Sequence, residues 1–128
     1  MDKGTPIGEV RGLGAAHGGA DHWKLQRTTA LGNLLLGAWF VASILMLPNL
    51  DYDNVRAWLS GVVPATAMVL LIVSTFWHAR LGLQVMIEDY VHEDGNRFAV
   101  TVLLNFLAVG GAVFGVICVL KLALAGAA

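Results

Sequence analysis

Three apolar stretches dominate the chain, at residues 31–47, 62–87 and 98–120, and they contain 17, 26 and 23 residues. A helix that crosses a hydrocarbon layer of roughly 30 Å needs about 20 predominantly apolar residues. The first stretch reaches that length once Thr28, Thr29 and Ala30 are added, and the second is long enough to tilt or protrude. In lipid every backbone N–H and C=O must find its partner inside the protein, so isolated stretches of this kind can only be helical. Composition agrees, since 57% of the 128 residues are hydrophobic and 13% are charged, against about 25% charged in an ordinary soluble domain. The expected fold class is all-α: an integral membrane protein with three transmembrane helices, spanning about 28–47, 62–87 and 98–120. Residues 1–27 form an N-terminal segment and 28–128 the membrane domain.

The punctuation between the stretches supports this division. Pro48, followed by Asn49 and Asp51, ends the first helix, because proline cannot continue a helix and forces its predecessor toward extended geometry. A short loop is expected from there to Gly61. Pro64 falls in the first turn of the second helix, where its missing N–H costs nothing, and Glu93, Asp94, Gly95 and Asn96 make the turn before the third. The net charge of -1 provides no basic surface for nucleic acid, so partners are expected in the bilayer. Cys118 has no mate, which excludes an internal disulfide and leaves it a packing role.

Lys and Arg residues set the orientation. With the N-terminus cytoplasmic, Lys3, Arg11, Lys24, Arg27, Arg80 and Arg97 lie on or toward the inner side, while Arg56 and Lys121 lie outside, six against two. Trp23 and Trp58 then fall near opposite interfaces. The first 30 residues contain neither the apolar core of a secretory signal nor the Arg/Ser bias of a transit peptide. A retained N-terminus in a bacterial inner membrane is expected ahead of a mitochondrial location.

His78 lies inside the second stretch, behind Phe76 and Trp77 and ahead of Leu81 and Leu83. Ionisable groups at membrane depth are functional candidates by default, and a neutral imidazole is a good heme ligand. The position fits equally a histidine bonded to a neighbouring helix. His17, His22 and His92 all lie outside the spans, so a heme held by two histidines would take its second ligand from another subunit. Asp89 follows His78 by eleven residues, about three turns plus 20°, which puts both on one helix face about 16 Å apart along the axis. Tyr90 beside it carries a phenol able to donate to a quinone carbonyl, and Asp89 a carboxylate able to relay protons. An interfacial tyrosine and a solvated acid are the plainer reading of the same two residues.

Arg27 precedes the first span, where its guanidinium suits a heme propionate or a lipid headgroup. Arg80 lies roughly 200° around the helix from His78 and is expected to snorkel to the inner interface or meet a partner protein. Gly110, Gly111 and Gly115 give the third helix a small-residue face that permits close helix contact. The sequence contains no P-loop, dinucleotide fingerprint, cysteine cluster or nucleophile elbow, so this chain by itself has no machinery to oxidise a substrate.

Residues 78–92, HARLGLQVMIEDYVH, combine an intramembrane histidine, a glycine four residues on at Gly82, and Asp-Tyr-Val at 89–91. With Arg27, Thr28, Thr29 and Ala30 at the start of the first span, this pattern resembles the small hydrophobic membrane anchor subunits of succinate dehydrogenase, respiratory complex II, the D-type subunit of its cytochrome b. The likeness covers roughly residues 25–120; the N-terminal 20 residues match nothing, and Arg80 gains no role from it. The resemblance implies that His78 is an axial ligand of heme b, shared with the larger cytochrome b anchor subunit in a heme-containing bundle. It also implies that Tyr90 bonds a ubiquinone carbonyl, that Asp89 helps deliver protons, and that Arg27 lies near a heme propionate. FAD and iron–sulfur clusters would belong to the flavoprotein and iron–sulfur partner subunits, docked on the cytoplasmic face. Two other readings are the anchor of a related fumarate reductase and a non-enzymatic membrane scaffold. Menaquinone-linked relatives often carry several intramembrane histidines on one longer chain, so the single one here favours the ubiquinone type.

The basic-residue asymmetry generates a direct test. A reporter fused after Ala128 should face away from the cytoplasm; a cytoplasmic signal would overturn the span count with this orientation, and the site geometry with it.

Overall fold

The computed structural model describes Ile7 and residues 19–125. Four helices follow in order: α1 (Gly19–Met46), α2 (Tyr52–Leu59), α3 (Val62–Tyr90) and α4 (Asp94–Ala125). The three long ones have 28, 29 and 32 residues, so at 1.5 Å per residue each is about 42 to 48 Å long and extends beyond the hydrocarbon layer. All three are long and apolar enough to cross a membrane.

The helices form a row. α3 is central, packing against α1 on one side and α4 on the other, and α1 and α4 make no contact with each other. Within the described residues only Leu59, Leu81 and Val119 are buried apolar side chains, while Leu45, Phe106 and Phe114 are 79%, 74% and 70% exposed. An aqueous protein could not leave so much apolar surface open. Here it belongs to lipid or to neighbouring subunits. Cys118 is also exposed on α4, so it has no packing role inside this chain.

Without a hydrophobic drive between helices in lipid, close approach depends on small residues. A Cβ on Gly111 would overlap the Phe76 ring, and one on Gly115 would lie 2.9 Å from Ile72 Cγ2. The G-x-x-x-G of α4 therefore forms the contact with α3. Gly110 has nothing within 4 Å of the same test position and takes no part in that contact.

Two connections differ from the sequence expectation. Residues 52–59 are helical, not a loop: Asp51 is extended at the N-cap, Asp53 lies in the first turn and Arg56 in the last, matching the helix dipole. Val55, Trp58 and Leu59, three and four apart, place one apolar face against the bundle. Leu59 is 4% exposed, and the Trp58 ring stacks on Trp39 of α1 at 5.8 Å. The turn before α4 is shorter than expected, because Asp94, Gly95 and Asn96 already lie in the helix. Glu93 ends the turn, its carbonyl accepting from Arg97 N at 2.9 Å and its carboxylate from Asn96 Nδ2 at 2.5 Å.

Overpacking the α3–α4 seam should therefore destabilise the chain. Gly111→Val or Gly115→Val is expected to cost about 1–3 kcal/mol, measured as a lower unfolding temperature of the purified membrane complex, while Gly110→Ala leaves it unchanged.

Candidate functional site

The seam between α1 and α3 differs from that between α3 and α4, because it is polar. His22, Gln26, Thr29 and Asn33 recur on α1 at spacings of four, three and four, the period that puts residues on one helix face. This face meets Ser74, Thr75, His78 and Gly82 of α3 in antiparallel register. Ser74 Oγ donates to the Thr29 carbonyl at 3.4 Å, and Thr75 Oγ1 to Asn33 Oδ1 at 3.5 Å. Glycines leave room on both helices: a Cβ on Gly32 would lie 3.5 Å from Ser74 Oγ, and one on Gly82 would lie 3.5 Å from Gln26 Nε2.

His78 sits in this seam, half-buried, with its Nδ1 3.0 Å from Thr29 Oγ1. Its Nε2 makes no hydrogen bond among the described residues and is not among the polar atoms shut off from the surroundings. One edge of the imidazole is thus tied to α1 and the other remains accessible from outside the chain. Farther toward the N-terminus of α1, His22 Nε2 and Gln26 Oε1 are enclosed without a partner. Unpaired polar atoms in such a position are costly unless something supplies the missing bond. Among the described residues no group of three or more His, Cys, Asp or Glu side chains could hold a metal ion, so any iron bound at His78 would need most of its coordination from a cofactor and another chain.

The remaining sequence candidates occupy different faces. Asp89 lies in the last turn of α3, exposed, and makes no side-chain hydrogen bond among the described residues. Tyr90 is the last residue of α3 and is 78% exposed. It is 100° further round the helix than Asp89 and borders an apolar groove of about 410 Å³ between α3 and α4, with Leu83, Met86, Val100 and Leu103 among its walls. The two neighbours therefore flank the helix end from different sides: Asp89 on the His78 face and Tyr90 on the α4 side. Arg27 is exposed, its guanidinium carbon 5.5 Å over the Trp23 ring.

Arg80 departs from expectation. Instead of snorkelling to the interface it turns into the α3–α4 seam, where Nε donates to Asn105 Oδ1 and the guanidinium carbon lies 5.3 Å over the Trp77 ring. A half-buried acceptor and an aromatic face together make that inward position favourable. Thr29 and Gln26 are the site residues that sequence reasoning missed. The signal was present as four polar residues recurring on one face of α1, but which of them meets His78 depends on helix register.

Sequence comparison is consistent with this architecture. The chain is 31% identical over 90 residues to the succinate dehydrogenase hydrophobic membrane anchor subunit of Rickettsia bellii, covering 70% of this chain and 72% of the relative. It is 32% identical over 91 residues to the subunit of that description from Rickettsia conorii, covering 70% and 72%. A succinate dehydrogenase membrane anchor subunit from Reclinomonas americana is 32% identical over 95 residues, covering 71% and 78%. No solved structure matches the chain significantly. The succinate dehydrogenase/fumarate reductase transmembrane subunit model matches residues 1–123, and with three spans arranged around a histidine-bearing central helix, the chain belongs to that family.

Proposed function

We propose that this chain, a membrane anchor subunit of succinate dehydrogenase, supplies one axial ligand to heme b through His78 and part of a ubiquinone site at the cytoplasmic end of α3. The observation that carries the heme reading is the accessible, unbonded Nε2 of His78, on a ring whose other nitrogen is tied down. The donor chemistry fits: a single imidazole suits an axial position on a porphyrin, and the second ligand would come from the larger cytochrome b anchor subunit. Bound there, heme b would supply one-electron chemistry. This chain's own contribution is to hold the imidazole by its Nδ1 side in the α1–α3 seam at membrane depth. His22 and Gln26 offer polar atoms without partners in the same seam, and Arg27 is free to pair with a propionate.

The quinone reading rests on Tyr90. Its phenol borders an otherwise apolar groove, which suits a ring with an isoprenoid tail and one hydrogen-bonded carbonyl. Asp89, exposed on the neighbouring face, is within reach of water and can hand protons toward the helix end. Electrons would arrive from the flavoprotein and iron–sulfur partner subunits docked on the cytoplasmic face, where FAD and the clusters reside. The Rickettsia relatives favour a bacterial inner membrane. Succinate oxidation is the direction we assign, since a single intramembrane histidine on a separate anchor fits the ubiquinone-linked type.

Two substitutions test these roles separately. In His78→Leu the low-spin heme signal should be lost or altered, because one of two axial bonds disappears; an unchanged spectrum and midpoint potential would remove His78 from the iron. In Tyr90→Phe the ring keeps its packing and loses only the hydroxyl. Ubiquinone reduction should fall by about tenfold or more, while heme content and succinate oxidation by an artificial acceptor upstream of the quinone stay normal. Wild-type quinone reduction at limiting quinone would return Tyr90 to the role of an interfacial anchor.

A further inference from the structure

The contact between Thr29 and His78 defines more than proximity. Thr29 Oγ1 lies 2.9 Å from the Leu25 carbonyl oxygen, 3.1 Å from that of Gln26 and 3.0 Å from His78 Nδ1. A hydroxyl has one proton to give. The two carbonyls can only accept, so if the proton pointed at His78, two oxygen pairs at hydrogen-bond distance would face each other with nothing between them. The arrangement is satisfied when the hydroxyl donates back to its own helix, as threonines in membrane helices do, and accepts at His78. Nδ1 then carries the imidazole proton and Nε2 carries the lone pair. Ser74 donates to the Thr29 backbone carbonyl and not to its hydroxyl, so the Oγ1–Nδ1 contact does not run through it.

We infer that Thr29 is a positioning residue for His78: its hydroxyl selects the Nδ1–H tautomer, orients the ring so that the Nε2 lone pair points out of the chain, and strengthens Nε2 as an iron ligand. The inference rests on the heme reading above and deepens it. A ligating histidine ordinarily gives its second N–H to a carboxylate, a backbone carbonyl or water, which fixes the tautomer and raises ligand basicity. Among the described residues no carboxylate or carbonyl reaches Nδ1 of His78, and a threonine hydroxyl already polarised by two helix carbonyls takes that place. Being neutral, it avoids burying a charge at membrane depth.

The assembled membrane complex carrying Thr29→Val, which keeps the shape and removes the acceptor, provides the test. Losing such a partner typically weakens metal binding about 10- to 100-fold, so heme should wash out of detergent-solubilised complex at least tenfold more readily. A weaker Nε2 donor stabilises the ferric state less, so the heme midpoint potential should move upward. Thr29→Ser should restore both properties. Ser74→Ala, which loses a bond at the same seam without touching His78, should leave the potential unchanged. If Thr29→Val fails to assemble, Thr29→Ala removes the hydroxyl without added bulk and is expected to give the same upward shift. A wild-type potential and heme retention in Thr29→Val or Thr29→Ala, alongside a lost heme signal in His78→Leu, would overturn the role of Thr29 and leave the ligand assignment standing. An unchanged signal in His78→Leu would overturn both.

Discussion

Water is absent from the middle of the bilayer, and every feature of this chain answers to that. Backbone amides satisfied inside each helix leave side chains alone to decide which helices meet, and apolar side chains cannot decide, because lipid solvates them as well as a neighbouring helix does. Two other devices remain: small residues that let helices approach closely, and polar groups that have no partner in lipid. α3 uses one on each side. Toward α4 the contact is mainly steric, with Gly111 and Gly115 receiving Phe76 and Ile72 and one hydrogen bond, Arg80 to Asn105, beside them. Toward α1 it is made of hydrogen bonds, Thr29 with His78 and Ser74, and Asn33 with Thr75.

That asymmetry explains how a chain with almost no buried core can hold a defined site. A steric seam tolerates sliding by small amounts, but a hydrogen bond of 3.0 Å between two side chains fixes both the register and the rotation of α1 against α3. His78 belongs to the polar seam and shares its rigidity. Tyr90 lies at the end of α3, where the next residue, Val91, is already outside the helix, and its ring is mostly exposed. The proposed ligand position and the proposed quinone position on one helix thus differ in their surroundings, one bonded across a seam and the other at an exposed helix end.

Much of this was legible in the sequence, and the limit follows from what one-dimensional pattern contains. Length and hydropathy mark the three spans because lipid thickness is a fixed ruler, and the G-x-x-x-G marks a close contact because so few residues can make one. His78 stands out because ionisable groups at depth are rare. The helix at 52–59 was missed although Asp51, Asp53 and Arg56 are ordinary capping and dipole signals, since eight residues between two spans read as a loop when only long apolar stretches are sought. Arg80 was misplaced for a different reason. Snorkelling is the expected response of an isolated arginine, and only the register of α4 reveals that Asn105 lies beside it. For the same reason Gly110 was grouped with Gly111, although adjacent helix positions point 100° apart.

The glycines also separate what the chain requires from what its surroundings require. Gly111 and Gly115 are demanded from within, because a methyl group at either would overlap a side chain of α3. Gly82, one turn beyond His78 in the segment that carries the family likeness, is not. A Cβ there would meet Gln26 Nε2 at 3.5 Å, an ordinary contact, so among the described residues nothing forbids alanine. Glycine in a helix carries a cost of roughly 1 kcal/mol relative to alanine, and the room it leaves at Gly82 lies one turn from His78, on the side of Gln26. The accessible Nε2 of His78 lies one turn away, and a flat macrocycle bound there would need a helix surface without a side chain beside it. If heme b binds at His78 as proposed, the bare backbone at Gly82 and the tethered ring of His78 would belong to one surface, because both lie on consecutive turns of α3.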